Sequence, residues 1–266
     1  MSTAFRARYG AWALIAGASE GLGAEFAEQL ARRGLGLVLV ARRREPLDAL
    51  AAKLREQYSV EVRTLACDLT DPLQLKRVLA ETDDLEIGLL VCNAALSPIG
   101  EFLRQSAAEH AKLIDLNCRA TALLAHHFAA TMVTRKRGGL VIMTSLASLQ
   151  GTAMTVHYAA SKAYLRVLAE GLWEEFRPHG VDVVACMAGP TSTPTWDASR
   201  AKRWHGIPSV QTPREVVDTA LAGLGHGPVC IPGGMNRVTG FLMKRLLPIS
   251  AAVRLVSRTT RKMYER

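Results

Sequence analysis

The stretch Trp12-Ala-Leu-Ile-Ala-Gly17-Ala-Ser-Glu-Gly21-Leu-Gly23 decides the fold of this chain. A short apolar run leads into three glycines, and an alanine-rich helical stretch follows them. This order predicts a buried strand, a tight turn and a helix. Glycines let the backbone approach a phosphate closely, and amides at a helix N-terminus bind its negative charge. The stretch therefore indicates a dinucleotide-binding turn, and a tight turn without a ligand is the alternative.

The same alternation of apolar runs and helical patterns continues along the chain. We predict strands at residues 12–16, 35–41, 60–66, 87–92, 139–144, 181–187 and 228–231. Helices are predicted between them, at residues 46–58, 71–82, 106–116, 117–132 and 158–176. Near-continuous apolar strands separated by helices are typical of a parallel sheet that is covered on both faces. The fold class is therefore α/β.

The second predicted strand ends in Arg42, Arg43 and Arg44. An enzyme that uses NAD is expected to carry an acidic residue here for the ribose 2′-hydroxyl, whereas an arginine suits a 2′-phosphate. Arg42 lies nearest the strand end, so it is the expected phosphate contact and NADP(H) the expected cofactor. A basic helix entry on a solvated surface is the alternative.

A tyrosine and a lysine stand four residues apart in the stretch His157-Tyr158-Ala-Ala-Ser-Lys162. Residues at this spacing lie on one face of a helix, and a nearby ammonium stabilises a phenolate. Ser145 follows the fifth strand, and Asp68 and Asn93 follow the third and fourth. Because ligands bind at the carboxyl ends of parallel strands, we expect these side chains at one site.

The composition excludes several classes of protein. The five cysteines are scattered without C-x-x-C spacing, which argues against a disulfide framework and a metal site and favours a cytoplasmic protein with reduced thiols. No apolar stretch reaches the roughly 18 residues of a membrane span. The net charge of +9 is concentrated in the C-terminal tail, so it does not indicate nucleic-acid binding.

Taken in order, these motifs resemble the short-chain dehydrogenase/reductase family over residues 10–233. The resemblance rests on the glycine turn, Asp68, the Asn93-Ala94 pair and the polar residues Asn117, Ser145, Tyr158 and Lys162. It implies one Rossmann-type domain with a doubly wound, seven-stranded parallel sheet, spanning residues 1–233. It also implies a homodimer or homotetramer that pairs through helices at residues 106–135 and 158–177.

The resemblance further implies roles for individual residues. Tyr158 would protonate a carbonyl oxygen that Ser145 holds, and Lys162 would lower the pKa of Tyr158 and hold the nicotinamide ribose. Asn117 would anchor a water that resupplies protons. The implied cofactor contacts are Gly17, Ser19, Gly21, Leu22, Arg42, Asp68, Leu69, Asn93, Tyr158, Lys162 and Thr191.

The leading hypothesis is an NADPH-dependent reductase of an apolar ketone, such as a 3-oxoacyl thioester, a steroid or a polyketide. The apolar character is inferred from Met187, Trp196, Trp204 and Ile207, which belong equally well to a core. An oxidative alcohol or hydroxysteroid dehydrogenase is the second hypothesis. A catalytically silent NADP(H)-binding regulator is the third.

Residues 234–266 form a basic amphipathic extension, which Pro248 is expected to divide into two helices. One interpretation is that these helices pack beside the substrate cleft or against a neighbouring subunit. The other is that they attach the protein to an anionic membrane surface, so that it is cytoplasmic and membrane-peripheral.

Overall fold

The computed structural model describes residues 2–199 and 210–264. Its strands are β1 (Trp12–Ala16), β2 (Gly36–Ala41), β3 (Val62–Ala66), β4 (Ile87–Cys92), β5 (Gly138–Ser145), β6 (Val181–Ala188) and β7 (Val229–Cys230). They form one seven-stranded sheet in the order β3-β2-β1-β4-β5-β6-β7, and every neighbouring pair is parallel. The predicted Rossmann-type architecture is confirmed.

Helices cover both faces of this sheet. They are α1 (Ser2–Tyr9), α2 (Gly21–Arg32), α3 (Arg44–Tyr58), α4 (Pro72–Ala80), α5 (Ala107–Ile114), α6 (Thr121–Thr134), α7 (Val156–Phe176), α8 (Pro194–Ala198), α9 (Pro213–Gly223), α10 (Gly234–Leu246) and α11 (Ile249–Tyr264). Successive strand residues point to opposite faces, so the fully buried Leu14 and Ile15 belong to two separate hydrophobic clusters. Because both faces of the sheet are buried, the strands are apolar throughout instead of alternating between apolar and polar residues.

The second and third strands begin later than predicted because of how the preceding segments end. Gly34, with a φ of 78°, terminates α2, and its amide and that of Leu35 bond back to Ala31 and Leu30. This is a Schellman-type helix end, so Leu35 belongs to the turn and β2 starts at Gly36. The third strand likewise begins at Val62, after the left-handed Ser59 that ends α3.

Three helices of the structure, α1, α8 and α9, were not predicted. Helix α1 packs Tyr9 under the sheet, where its hydroxyl donates to Asp182 at 2.8 Å. Helix α9 packs into one of the two hydrophobic clusters, on the same face of the sheet as α2 and α3. Its start carries a capping box in which Thr212 and Glu215 bond each other's backbone amides, and this T-x-x-E pattern was a usable sequence signal.

The strand order reverses next to β1, because the chain runs outward to β3 and then returns to place β4 on the other side of β1. At such a switch point the connections after β1 and β4 diverge over opposite faces, which leaves a crevice at their carboxyl ends. Ala16 pairs with Val40 on one side and with Cys92 on the other. The glycine turn and Asn93 therefore lie side by side at this crevice.

The C-terminal extension folds as the two predicted helices, and Pro248 lies between them. Helix α11 is held to the segment after β5 by two hydrogen bonds: Thr260 Oγ1 with Thr152 Oγ1 at 3.0 Å, and the Ala153 amide donating to Ser257 Oγ at 3.0 Å. None of the helices in the described ranges is long and apolar enough to cross a membrane.

Candidate active site

Backbone segments approach so closely in the turn after β1 that side chains cannot be accommodated there. A Cβ on Gly17, whose φ is 86°, would lie 2.7 Å from the backbone of Ala94. A Cβ on Gly23 would lie 1.9 Å from the carbonyl oxygen of Gly17. Asn93 closes the contact by donating from Nδ2 to the same oxygen at 2.8 Å. The turn is thus fixed against the end of β4, with its backbone open to the crevice.

The N-terminus of α2 points at this crevice without a capping side chain. Glu20 occupies the N-cap position but makes no capping hydrogen bond, whereas Ser106 and Thr212 cap α5 and α9. Uncapped amides at the start of a long helix carry partial positive charge and need an acceptor. The turn therefore fits the pyrophosphate of a dinucleotide.

The three arginines after β2 have different surroundings. Arg43 forms an ion pair with Glu20 at 2.5 Å, and Arg44 lies 3.9 Å from Asp48. Within the described part of the chain, Arg42 has no carboxylate within ion-pair distance. Arg42 also lines the crevice, so its guanidinium is the one available to an anionic ligand.

Tyr158, Ser145 and Lys162 converge at the inner end of the crevice. Tyr158 lies in the first turn of α7, Ser145 ends β5, and Lys162 lies one turn after Tyr158. The Lys162 side chain is only 3% exposed, and its Nζ donates to the carbonyl oxygen of Met143 at 2.8 Å. That nitrogen lies 5.7 Å from the centre of the Tyr158 ring. The predicted spacing therefore brings the phenol and the ammonium together.

Desolvation by burial is the largest influence on the pKa of both Lys162 and Tyr158. It lowers the pKa of Lys162 to about 8, and it raises the pKa of Tyr158 above its ordinary value. A hydrogen bond with Ser145 opposes the rise at Tyr158, and the nearby Tyr264 phenol adds to it. Tyr158 is still partly accessible from the crevice. The phenol is consequently protonated at neutral pH and able to donate. Lowering of its pKa by Lys162, as the resemblance implies, stays a prediction.

Asn117 lies in a π-helical turn, Asp115–Ala120, between α5 and α6. Its Oδ1 accepts from the Leu96 amide at 2.8 Å, and its Nδ2 donates to the Leu96 carbonyl and to Ser161 Oγ. The side chain is completely buried. It thus joins the loop after β4 to α7. The proposed water relay through Asn117 stays a prediction.

The crevice is a cleft of about 850 Å³. Its walls contain most of the side chains and turns predicted for the site: Gly17, Ser19, Gly21, Leu22, Arg42, Leu69, Asn93, Ser145, Tyr158, Lys162 and Thr191. Asp68 and Asn117 are not in the wall. Asp68 Oδ1 accepts from the amide and hydroxyl of Thr70, and its Oδ2 lies 3.7 Å from Lys112. Direct contact between Asp68 and a cofactor stays a prediction.

Apolar side chains from three separate parts of the chain line the cleft. Leu149 and Trp196 contribute to it, and α11 adds Leu255, Met263 and Tyr264. The contribution of α11 favours the interpretation that the extension packs beside the cleft. Among the four residues from which an apolar pocket was inferred, Trp196 lines the cleft and Met187 is buried in β6. Trp204 and Ile207 lie outside the described residues.

Met187 lies in the core because of its position in β6. Helices cover both faces of the sheet, so a strand side chain is buried whichever face it points to. Met187 is accordingly only 2% exposed. The α11 residues were assigned no individual site role because they are distant in sequence from every motif.

A Rossmann sheet whose switch-point cleft carries Ser145, Tyr158 and Lys162 defines a class, the Rossmann-type oxidoreductases. The family described as short chain dehydrogenase matches residues 11–204, and the chain belongs to this family. The family predicted from the sequence motifs is therefore confirmed.

Individual relatives share most of their length with this chain. The 7beta-hydroxysteroid dehydrogenase of Clostridium sardiniense is 32% identical over 233 residues, which cover 88% of this chain and 89% of that protein. A solved structure described for 7beta-hydroxysteroid dehydrogenase stereoselectivity superposes with a TM-score of 0.87 at 28% identity, and covers 94% and 98% of the two chains. A short-chain dehydrogenase from Sphingobium yanoikuyae, solved in complex with NADPH, is 36% identical with a TM-score of 0.77 and covers 89% and 96%.

Proposed function

We propose that this oxidoreductase uses NADPH to reduce a ketone on a bulky apolar substrate, with an oxosteroid as the leading substrate class. The observation that carries the proposal is the position of Tyr158. Its side chain lines the same cleft as the glycine turn, Arg42 and the apolar side chains of α8 and α11, hydrogen-bonds with Ser145 and has its ring centre 5.7 Å from Lys162 Nζ.

The protonation state of Tyr158 suits reduction. Its raised pKa keeps the phenol protonated at neutral pH, so it can give a proton to a carbonyl oxygen. The Ser145 hydroxyl, adjacent to the phenol, is placed to donate to the same oxygen and hold it. A bound reduced nicotinamide supplies the hydride that the carbonyl carbon accepts. The proton and the hydride together convert the ketone to a secondary alcohol.

The phenolate left on Tyr158 has a positive charge within reach. Lys162 is held in place by its bond to Met143, and with a pKa of about 8 it is mostly protonated at neutral pH. Its ammonium therefore stabilises the phenolate until a proton returns. We propose that the proton returns through a water anchored near Asn117. The reverse, oxidative reaction uses the same groups with Tyr158 as base.

Three observations support NADPH as the reductant. The turn from Gly17 to Gly23 presents uncapped helix amides to a pyrophosphate. No acidic residue ends β2, and Arg42 faces the cleft without a carboxylate partner among the described residues. The relative from Sphingobium yanoikuyae, at 36% identity, was solved in complex with NADPH.

The steroid assignment rests on two observations. The apolar side chains that line the cleft include the rigid rings of Trp196 and Tyr264, which suit a rigid apolar ring system. A hydroxysteroid dehydrogenase is a relative along 88% of the chain. If no oxosteroid is reduced, the substrate class would be a 3-oxoacyl thioester or a polyketide ketone.

The test is NADPH oxidation by the purified protein with a panel that contains oxosteroids, a 3-oxoacyl thioester, a polyketide-like ketone and a small water-soluble ketone. We expect the highest kcat/KM for an oxosteroid. Tyr158→Phe should lose at least about a thousandfold in turnover while it binds NADPH normally. If the wild-type protein binds NADPH and reduces none of the ketones, the silent-regulator hypothesis replaces this proposal.

We also propose a cytoplasmic homo-oligomer. The five cysteines are free thiols, which suits a reducing compartment. The helices expected to pair two copies carry exposed apolar side chains, notably Leu123 on α6 and Tyr164 and Val167 on α7. Light scattering coupled to size-exclusion chromatography should give twice or four times the chain mass. A monomer at micromolar concentration would contradict this pairing.

A further inference from the structure

The two C-terminal helices use their apolar faces differently. Helix α11 turns Met263 and Tyr264 toward the cleft. In helix α10, Asn236 is completely buried and donates to Gln211 and Pro232, and Gly240 on the same side is also buried. The large apolar side chains of α10 lie on the other side of the helix. Helix α10 therefore presents an apolar face that is largely exposed to solvent.

This face can be described as two rows along the helix. Met235, Val238 and Leu242 form one row, and they are 65%, 55% and 43% exposed. Arg237, Phe241 and Arg245 form the adjacent row at intervals of four residues, and Phe241 is 63% exposed. Residues at these spacings are neighbours on a helix surface. We call the six residues the α10 face.

The apolar surface continues past the end of α10. Leu247 is 38% exposed and Ile249 is 82% exposed on either side of Pro248. Leu255, one to two turns further along α11, is half exposed and lines the mouth of the cleft. The exposed apolar residues of the extension therefore include one, Leu255, that also lines the cleft.

The charge of residues 234–264 indicates which kind of partner covers the α10 face. From residue 234 to residue 264 the sequence contains seven Lys and Arg residues and no Asp or Glu. Within the described ranges, Arg237, Arg245, Arg254 and Arg258 form no ion pair. A second copy packed face to face would bring these unpaired charges together. An anionic bilayer instead supplies negative headgroups around an apolar interior.

We propose that the α10 face, with Leu247 and Ile249, docks the protein on an anionic lipid surface. The helix lies in the plane of the interface, with the apolar row in the acyl boundary and the arginines at the headgroups. The cleft mouth then lies next to the lipid, so an apolar substrate enters the cleft from the membrane. The docking itself does not depend on the identity of the substrate.

The test is co-sedimentation of the full chain with phosphatidylcholine vesicles, with and without about a third phosphatidylglycerol, in the absence of NADPH and ketone. We expect binding only to the anionic vesicles, and loss of that binding at high salt. In Val238→Ser/Phe241→Ser the partition coefficient should fall at least about tenfold. Leu73→Ser is the matched control, because Leu73 is 75% exposed on α4, outside the extension.

A second pair of variants separates the contribution of charge to vesicle binding from that of apolar contact. Arg237→Gln/Arg245→Gln should weaken binding at low salt, whereas Lys76→Gln on α4 should leave it unchanged. Equal binding of the α10 variants and the wild type would overturn the proposal. So would a fall in oligomeric mass of Val238→Ser/Phe241→Ser without loss of vesicle binding, since the face would then join two copies. NADPH binding verifies the fold of each variant, and vesicle binding is measured apart from reductase activity.

Discussion

Removing the buried ammonium of Lys162 should stabilise the protein without cofactor while it abolishes catalysis. Burial moves the pKa of Lys162 from 10.5 to about 8. At one pKa unit per 1.36 kcal/mol, charging this lysine in the folded state costs about 3 kcal/mol. Lys162→Met removes that cost but also removes the bond to the Met143 carbonyl, worth about 1 kcal/mol. We expect a net gain of about 2 kcal/mol near pH 7.

The sign of the pH dependence follows from where the proton binds. Because the folded-state pKa lies below the unfolded one, the unfolded state of the wild type binds more protons between about pH 8 and pH 10.5. The wild type therefore gains stability relative to Lys162→Met as the pH rises through this window. Near pH 10 the variant should have lost its advantage, and the missing hydrogen bond should make it slightly less stable.

Urea unfolding of the protein without cofactor, at about pH 7 and about pH 10, measures this difference. Lys76→Met is the matched control, because Lys76 is exposed on α4 and forms no ion pair within the described residues. Its effect should be small and the same at both pH values. If Lys162→Met destabilises the protein equally at both pH values, folding does not lower the pKa of Lys162 and the reasoning is refuted. Loss of activity with a gain in stability would be a trade between function and stability.

Two further predictions address the cofactor and the substrate compartment. Arg42→Ala should reduce the preference for NADPH over NADH by about ten- to a hundredfold in kcat/KM, because a charged hydrogen bond to the 2′-phosphate is lost. Arg43→Ala should change it little, since Arg43 is engaged by Glu20; equal effects would reject Arg42 as the phosphate contact. Tyr264→Ala should raise KM for a bulky ketone several-fold and leave the Kd for NADPH unchanged, because Tyr264 is an apolar wall residue of the cleft and is not one of the predicted cofactor contacts. A change confined to NADPH affinity would contradict that placement.

Local chemistry explains why much of the site was predictable. The glycine turn needs Gly17 and Gly23 because backbone atoms occupy the space of a Cβ, so the sequence must show glycine there. The i,i+4 spacing of Tyr158 and Lys162 similarly fixes their shared helix face. The overlooked α9 had a local signal in its capping box, whereas α1 is stabilised by the distant Asp182 and by sheet packing. Its sequence alone has little amphipathic character.

The sequence by itself determined the succession of the seven strands along the chain, the glycine turn and the spacing of the residues that define the family. These features depend on backbone sterics and helix periodicity, which act over a few residues. Only the tertiary structure decided that Met187 lies in the core and that Asp68 turns to Thr70 and Lys112. It also decided that α11 lines the cleft while α10 keeps an exposed apolar face. Both helices carry the same basic amphipathic pattern, and which apolar face is buried depends on contacts with residues far away in the sequence.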